Sequence, residues 1–338
     1  MTEFAAFVPP KEKKAYLVAD YIEWLCLCSR DGAISMAEAI ARVYRPQTDE
    51  AEDWDEEEGY SEDVEEQGDI ADEDIAEEEI PSGSEINDKQ RVAGADWFGL
   101  LKYRQAAFHD FYPFRVEGQS LSRMSTLTNK HLLYLYLLLC SNLRFVTNGT
   151  NAITSDFERL CEEALKAYLP QFVVHHFGKS GVSRGDYPGD LCAAIRKLAD
   201  NLREKAIVCE EDFGGKSTGD GGVDLVAWRC PIEGERLSGR LICFAQCACS
   251  RHEWRHKQAE SHPINWKNRI QFDHDPANLM FIPFCFRRND GSWFARDYIQ
   301  DSILMDRLRI CHLLEEADIP SLGSFAFVER AAAFQEPA

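Results

Sequence analysis

The chain has 338 residues, of which 45% are hydrophobic and 28% are charged. These proportions are typical of a globular protein with one large or two modest domains. The formal net charge is −21, but 19 of the 58 acidic residues lie between Asp49 and Glu79, where there is no lysine or arginine. The other 39 acidic residues nearly balance the 37 basic ones. The overall charge therefore excludes no class of partner, and a nucleic-acid enzyme stays open.

The cysteines and the apolar stretches bear on the cellular compartment. A chain of this size with a large core does not need its twelve cysteines to form disulfide bonds. Residues 1–10 lack the basic start and apolar run of a secretory signal. The most apolar stretch, Leu132–Cys140, is far too short to span a bilayer. We therefore expect reduced cysteines, a cytoplasmic protein and no membrane partner.

The first half of the chain divides by composition into three segments. Apolar residues at helical spacing predict a small helical hairpin over 13–44, within an N-terminal module at 1–46. Residues 47–90 are acidic and poor in core residues, which predicts a disordered linker. That linker could be a spacer, a DNA mimic that covers a basic groove, or a docking tail. Residues 91–150 are rich in aromatic and aliphatic side chains and predict a mostly helical packing layer.

The third segment, 151–320, mixes two periodicities. Spacing of three and four residues predicts helices, and short apolar runs bounded by glycine or proline predict buried strands. In chain order, the pattern predicts helices at 155–169 and 191–205, strands at 223–228 and 241–247, a helix at 251–260, a strand at 279–286 and a helix at 299–315. This order predicts an α/β domain with a mixed sheet flanked by helices. Residues 321–338 are assigned to a C-terminal tail.

A glycine-rich acidic turn precedes the first of these strands. The run Gly219-Asp220-Gly221-Gly222-Val223-Asp224 leads into that strand, and the next strand closes on Gln246. A hairpin between them would place Asp224 and Gln246 side by side at strand ends, with Asp220 nearby. Magnesium is held by one or two carboxylates together with waters and substrate phosphate. The pattern therefore predicts a Mg²⁺ site in which the metal lowers the pKa of a bound water.

This arrangement resembles the Mrr-type branch of the PD-(D/E)xK nucleases, over about residues 155–260. Members of that branch carry a G-D-G-G-[IV]-D run followed by a strand that ends in Q-x-K. The resemblance implies a restriction-endonuclease-like fold, Mg²⁺ or Mn²⁺ as cofactor, and metal contacts from Asp224, Gln246 and the carbonyl of Cys247. It also implies a first helix that carries a Phe-Glu pair, which Phe157-Glu158 matches, so Glu158 becomes a further site residue.

The function implied by the resemblance is metal-dependent hydrolysis of DNA phosphodiester bonds, in bacterial defence against phage or foreign DNA. DNA, other subunits of a defence system and a second copy of the chain are the expected partners. Basic residues flank the proposed site, and four are candidates for contacts with the DNA backbone. These candidates are Lys216, Arg251, Arg255 and Lys267.

One residue departs from the family pattern. The lysine expected two residues after Gln246 is Ala248 here. That lysine helps to activate the attacking water, and the nearest replacement is Lys257, in the helix after the strand. Two interpretations stay open. Either Lys257 takes over the role of the missing lysine, or the site is degenerate and the chain is a DNA-binding or assembly subunit.

A third hypothesis comes from a different motif. The run His252-Glu253-Trp254-Arg255-His256 matches H-E-x-x-H, in which two histidines bind zinc and the glutamate acts as a base. A zinc metalloprotease is therefore a further candidate. Arg255 counts against it, because the helix that carries this motif is normally buried. His175 and His176, which precede Phe177-Gly178, are interpreted by default as neutral histidines with satisfied hydrogen bonds, and contact with a phosphate is the alternative.

Overall fold

The computed structural model describes residues 4–45, 83–178, 186–208, 221–232, 234–317 and 322–333. Most of the predicted acidic linker lies outside these ranges, as do two of the predicted site residues, Asp220 and Lys216.

The range predicted as a helical hairpin holds two helices. They are α1 (Ala15–Cys28) and α2 (Met36–Val43), with a short strand β1 (Ala33–Ser35) between them. The side chain of Ser35 accepts a hydrogen bond from the N–H of Glu38 and so caps the start of α2. The next helix, α3 (Gly83–Phe108), begins inside the range predicted as linker.

The predicted packing layer is less helical than its composition indicates. It contains two strands, β2 (Phe114–Glu117) and β3 (Ser120–Arg123), before the helix α4 (Asn129–Cys140). The strands form a hairpin, and β1 pairs with β3 in an antiparallel ladder. Gly118 adopts a φ of +60° in the two-residue turn between β2 and β3, a conformation that glycine adopts at no steric cost.

The rest of the chain forms the mixed α/β unit that the sequence predicts. Its elements are α5 (Thr150–Tyr168), β4 (Val173–His176), α6 (Leu191–Leu202), β5 (Lys205–Ala206), β6 (Leu225–Arg229), β7 (Leu241–Cys247), α7 (Trp254–Glu260), α8 (Pro263–Trp266), β8 (Ile270–Gln271), β9 (Ala277–Phe281), β10 (Ile303–Met305), α9 (Arg307–Leu313) and α10 (Phe325–Ala333). A five-stranded sheet has the order β10-β9-β7-β6-β4. Strand β6 is antiparallel to both β4 and β7, whereas β7, β9 and β10 run parallel to one another. The mixed sheet flanked by helices is thus confirmed.

Two predicted elements near the C-terminus are wrong. The range 299–315 is not one helix, since it holds the strand β10 and then α9, which begins where Asp306 caps the N–H of Arg309. A three-residue strand is too short to show a periodicity, and its partner β9 is distant in sequence. The range predicted as a tail contains α10, which buries Val328 and Ala331.

The sheet is covered on both faces. Leu225 and Ala245 belong to a large apolar cluster that includes α1, α3, α4 and α5, whereas Val226 and Phe244 belong to a second cluster around α6. Strands buried on both faces are apolar without alternation, which explains why β6 and β7 appear in the sequence as continuous apolar runs.

A group of buried charges links the N-terminal helices to α9. Arg104 of α3 contacts Asp20 at 2.7 Å and Glu23 at 2.9 Å, both on α1. Arg307 of α9 contacts Asp20 at 2.9 Å and donates a hydrogen bond to the Tyr134 hydroxyl at 3.2 Å. The four charged side chains are fully buried. Two guanidinium groups thus offset two carboxylates inside the core. An unpaired charge at this depth would destabilise the fold strongly.

Candidate active site

The hairpin β6–β7 brings the two central predicted residues together. Leu225 pairs with Ala245 in this ladder, so Asp224, one residue earlier, lies opposite Gln246, one residue later. The N–H of Asp224 donates to the carbonyl of Ala245 at 3.0 Å. Asp224 and Gln246 are therefore neighbours at the same end of the sheet.

The backbone N–H, the backbone carbonyl and the carboxylate of Asp224 all make hydrogen bonds. Its carbonyl accepts hydrogen bonds from the N–H groups of Phe177 and Gly178, at 2.7 and 3.1 Å. Its Oδ2 accepts from the N–H of Cys247 at 2.7 Å. Oδ1 packs against Gly178, where a Cβ atom would lie only 3.0 Å away. The carboxylate is only 5% exposed and is therefore fixed in orientation.

The amide of Gln246 lies between oxygen atoms. One terminus of the amide is 3.2 Å from Asp224 Oδ2 and 3.0 Å from the carbonyl oxygen of Gly222. The other terminus is 3.4 Å from Oε2 of Glu260. With its nitrogen on the first side, the amide donates to both of those oxygens. Gln246 is only 4% exposed, so its amide is held in the interior beside Asp224.

The glycines of the turn bring protein atoms close together. Gly222 has a φ of +78°, and a Cβ built on it would lie 2.4 Å from the Cβ of Glu260. Gly221 has a φ of +70°, and a Cβ there would lie 2.6 Å from Nη1 of Arg269. The turn thus needs glycine both for its backbone conformation and for the approach of the C-terminal end of α7.

Glu158 and His176 form a pair near Asp224. Oε2 of Glu158 lies 2.9 Å from Nε2 of His176, and Nδ1 of the same ring lies 3.1 Å from the carbonyl oxygen of Gly178. Both ring nitrogens thus face acceptors, which the protonated imidazole satisfies with two donors. Burial lowers the pKa of His176, but the hydrogen bond to Glu158 and the negative charges of Glu158 and Asp224 outweigh it, so the pKa is raised.

Ala248, the residue at the position of the missing lysine, belongs to the core. Ala248 is buried in the large apolar cluster, and its N–H donates to the carbonyl of Phe281 at 3.0 Å. Lys257 lies in the middle of α7, with Nζ 3.7 Å from Oε2 of Glu253. It precedes Glu260 by three residues, so the two side chains project from adjacent turns on the same side of the helix. The role of Lys257 in water activation stays a prediction.

The thiol of Cys247 contacts the core. It hydrogen-bonds to the thiol of Cys161 on α5, and burial followed by this contact raises its pKa well above the ordinary value. Only the backbone N–H of Cys247 is seen to contact the carboxylate of Asp224. A protonated thiol is not a metal ligand, so any contribution of Cys247 to a metal would come from its carbonyl.

The geometry gives the zinc hypothesis no support. His252 lies in a turn, Glu253 is the N-cap residue, and α7 begins only at Trp254, so the two histidines do not share a helix. Glu253 pairs instead with Lys257. Throughout the described ranges, no three side chains of His, Cys, Asp or Glu gather so that they could hold a metal ion.

The described candidates for DNA contacts all have protein partners. Arg251 donates to the carbonyl of Ser141 and to Asn142 Oδ1, at 3.0 and 2.7 Å. The guanidinium of Arg255 stacks on the ring of Tyr298 at 4.3 Å. Lys267 pairs with Asp275 at 2.8 Å on the exposed surface. Their contact with DNA stays a prediction.

The site includes two residues that sequence reasoning missed. Glu260 was not considered, although it follows Lys257 by one helical turn and the helix was predicted. His176 was interpreted as neutral, because nothing in the sequence showed that both of its nitrogens would face acceptors. Pairing of a helix residue with a strand residue, as in Glu158–His176, leaves no local signal.

The comparisons with known proteins do not assign the chain to a family. No protein-family model matches it, and neither a curated protein nor a solved structure does. Of the helices in the described ranges, none is both long and apolar enough to cross a membrane.

Proposed function

We propose that this chain is a metal-dependent deoxyribonuclease with a restriction-endonuclease-like fold, whose hydrolytic centre lies at Asp224 and Gln246. The observation that carries the proposal is the adjacency of Asp224 and Gln246 at the end of the β6–β7 hairpin. The buried amide of Gln246 lies 3.2 Å from the buried carboxylate of Asp224 and 3.0 Å from the carbonyl oxygen of Gly222.

The order of elements supports the fold assignment. A helix, α5, precedes an antiparallel run of three strands, and α7 then leads to β9, which is parallel to β7. The resemblance to PD-(D/E)xK nucleases implies such a helix before a catalytic hairpin. Glu158, the residue expected on that helix, lies within hydrogen-bonding distance of His176, and this histidine is close enough to be influenced by the charge of Asp224.

The donor set fits a hard divalent cation. Asp224 and the carbonyl of Gly222 offer oxygen atoms of the kind that Mg²⁺ or Mn²⁺ binds, and Gln246 would add a third if its amide oxygen faced the ion. Such an ion, when bound, supplies Lewis-acid polarisation of the scissile phosphate. The N–H of Cys247 holds Oδ2 of Asp224 in place. When protonated, His176, whose pKa is raised, would add positive charge beside a bound phosphate, and Lys257 would assist the attacking water.

A degenerate subunit that binds DNA or assembles a defence complex is the second candidate. The observation that favours it is the burial of Ala248, which leaves no ammonium on the strand where the family carries one. Lys257 must then replace that lysine, although it already pairs with Glu253. Loss of cleavage in a Lys257 variant therefore separates the two candidates.

The test is cleavage of supercoiled plasmid with Mg²⁺ or Mn²⁺. We expect wild type to cut, Asp224→Asn to lose at least about 100-fold in rate, and Lys257→Ala to lose a similar factor. Asp110→Asn is the matched control, because that carboxylate is exposed and its nearest cation, on Lys130, is 3.9 Å away. If Asp224→Asn cuts like wild type, the site is wrong. If wild type binds DNA but never cuts it, the degenerate subunit is the better account.

A further inference from the structure

We infer that the cleft beside α8 binds single-stranded DNA, so that the substrate carries an unpaired segment next to the bond that is cut. The cleft lies between α8, the start of β9 and β10, and its volume is about 670 Å³. This inference rests on the proposed function, because it names the form of DNA that the same site would cut. Its test measures binding alone and needs no cleavage.

The first argument is the position of the cleft. Lys267, which lines it, precedes Arg269 by two residues, and Arg269 donates to the carbonyl of Gly221 at 2.9 Å. Gly221 belongs to the turn that leads into Asp224. Since Cα atoms two residues apart are separated by at most about 8 Å, the wall of the cleft lies next to a residue that contacts this turn. DNA that leaves Asp224 on this side therefore meets the cleft.

The second argument is charge. Arg296 and Arg309 line the cleft, and both are exposed. Within the described ranges, no carboxylate pairs with either guanidinium. Arg309 gives one N–H to the carbonyl of Leu304 at 2.7 Å, which holds it in place and leaves its other N–H groups for a ligand. A guanidinium with several donors to offer suits the phosphate group in charge and in geometry.

The carboxylates of the cleft do not cancel this charge. Each already has a partner within 3.0 Å, Lys267 for Asp275 and His262 for Asp301. One lysine and two arginines against two aspartates leave a net positive charge, which attracts the backbone of a nucleic acid.

The third argument is the apolar part of the wall. Ile264 and Ile303 line the cleft and are 67% and 37% exposed. Trp293 lines it as well and is half-buried, with the guanidinium of Arg309 4.9 Å from the centre of its ring. The bases of single-stranded nucleic acid stack on aromatic rings and on guanidinium planes. The bases of a duplex stay stacked on one another inside it, so these side chains favour unpaired DNA.

The experiment measures the binding of a labelled oligothymidine of about 12 nucleotides by fluorescence anisotropy. EDTA is present so that nothing is cut, and a duplex of the same length is the second probe. We expect the wild-type, full-length protein to bind the single-stranded probe at least about 10-fold more tightly than the duplex, because only the former offers unpaired bases.

Two variants test the charged and the apolar parts of the wall. Arg296→Gln should weaken binding of the single-stranded probe at least about 5-fold, and should flatten the plot of log affinity against log salt by about 0.7 in slope. Ile264→Ser should weaken it at least about 3-fold and leave the slope unchanged, since no charge is lost. The matched controls are Arg115→Gln, on β2 with a side chain 61% exposed, and Val92→Ser, on α3 at a position 64% exposed. Both controls should bind like wild type.

Three results would each overturn the inference. They are no binding of the single-stranded probe, no tighter binding of it than of the duplex, and the same affinity and slope in Arg296→Gln as in Arg115→Gln. Plasmid cleavage tests the proposed function separately. If cleavage depends on Asp224 but the single-stranded probe does not bind, the function stands and the inference fails. If the probe binds through Arg296 but no DNA is ever cut, the cleft stands as a binding site and the proposed function fails.

Discussion

Substitution of Gly222 by alanine tests the approach of α7 to the acidic turn. An alanine there must adopt a φ near +78°, which costs about 1–2 kcal/mol for a residue with a Cβ. The new Cβ would also lie 2.4 Å from that of Glu260, and overpacking of this kind costs about 1–3 kcal/mol. We therefore expect Gly222→Ala to lower the free energy of unfolding by about 2–5 kcal/mol.

The control is Gly239→Ala, in the loop between β6 and β7. Gly239 has a φ of +80°, and a Cβ there would meet nothing within 4 Å. This variant should lower the free energy of unfolding only by the conformational cost of the positive φ, about 1–2 kcal/mol. Urea denaturation of both variants gives the difference, which we expect to be about 1–3 kcal/mol. A difference below about 0.5 kcal/mol would show that α7 does not press on the turn.

Three other variants probe different parts of the molecule. Arg307→Met should lower the free energy of unfolding by about 3–5 kcal/mol, because it removes one of the two guanidinium groups that offset the buried carboxylates of Asp20 and Glu23; a loss under about 1 kcal/mol in urea denaturation would contradict this. Glu158→Gln should lower the pKa of His176, measured by NMR titration. The pKa of His176 is raised in the folded protein. The stability contributed by its pairing with Glu158 should therefore be fully present below the pKa of the unfolded chain, and should vanish as the pH rises through the pKa of the folded protein. An unchanged pKa of His176 in Glu158→Gln would contradict the Glu158–His176 pairing. Deletion of residues 49–79, which removes 19 negative charges, should tighten DNA binding in low-salt anisotropy measurements, and unchanged affinity would show that the acidic tract does not repel DNA.

The sequence was most informative where local pattern determines structure. The strands β6 and β7 are continuous apolar runs, and the glycine turn and Gln246 mark their shared end. Adjacency of Asp224 and Gln246 follows from that hairpin alone, so it could be predicted. The helices α5 and α6 were also predicted, because each buries one face with regular spacing.

Long-range pairing left little trace in the sequence. The strand β10 has three residues and depends on β9 for its hydrogen bonds, so its range was predicted as part of a helix. The side-chain pair Glu158–His176 joins α5 to β4 across the sheet. Glu260 reaches the site only because Gly222 has no side chain, and that contact depends on how α7 packs against the hairpin. Such contacts are set by tertiary packing and not by local periodicity.

Diffraction from crystals soaked in Mn²⁺ tests the central claim most directly, because the anomalous signal locates the metal without reference to activity. The soak should use a Mn²⁺ concentration that supports plasmid cleavage. The account predicts an anomalous peak in contact with the carboxylate of Asp224 and the amide of Gln246, and no such peak in Asp224→Asn. A peak elsewhere, or none beside a well-ordered Asp224, would contradict the assignment of the hydrolytic centre.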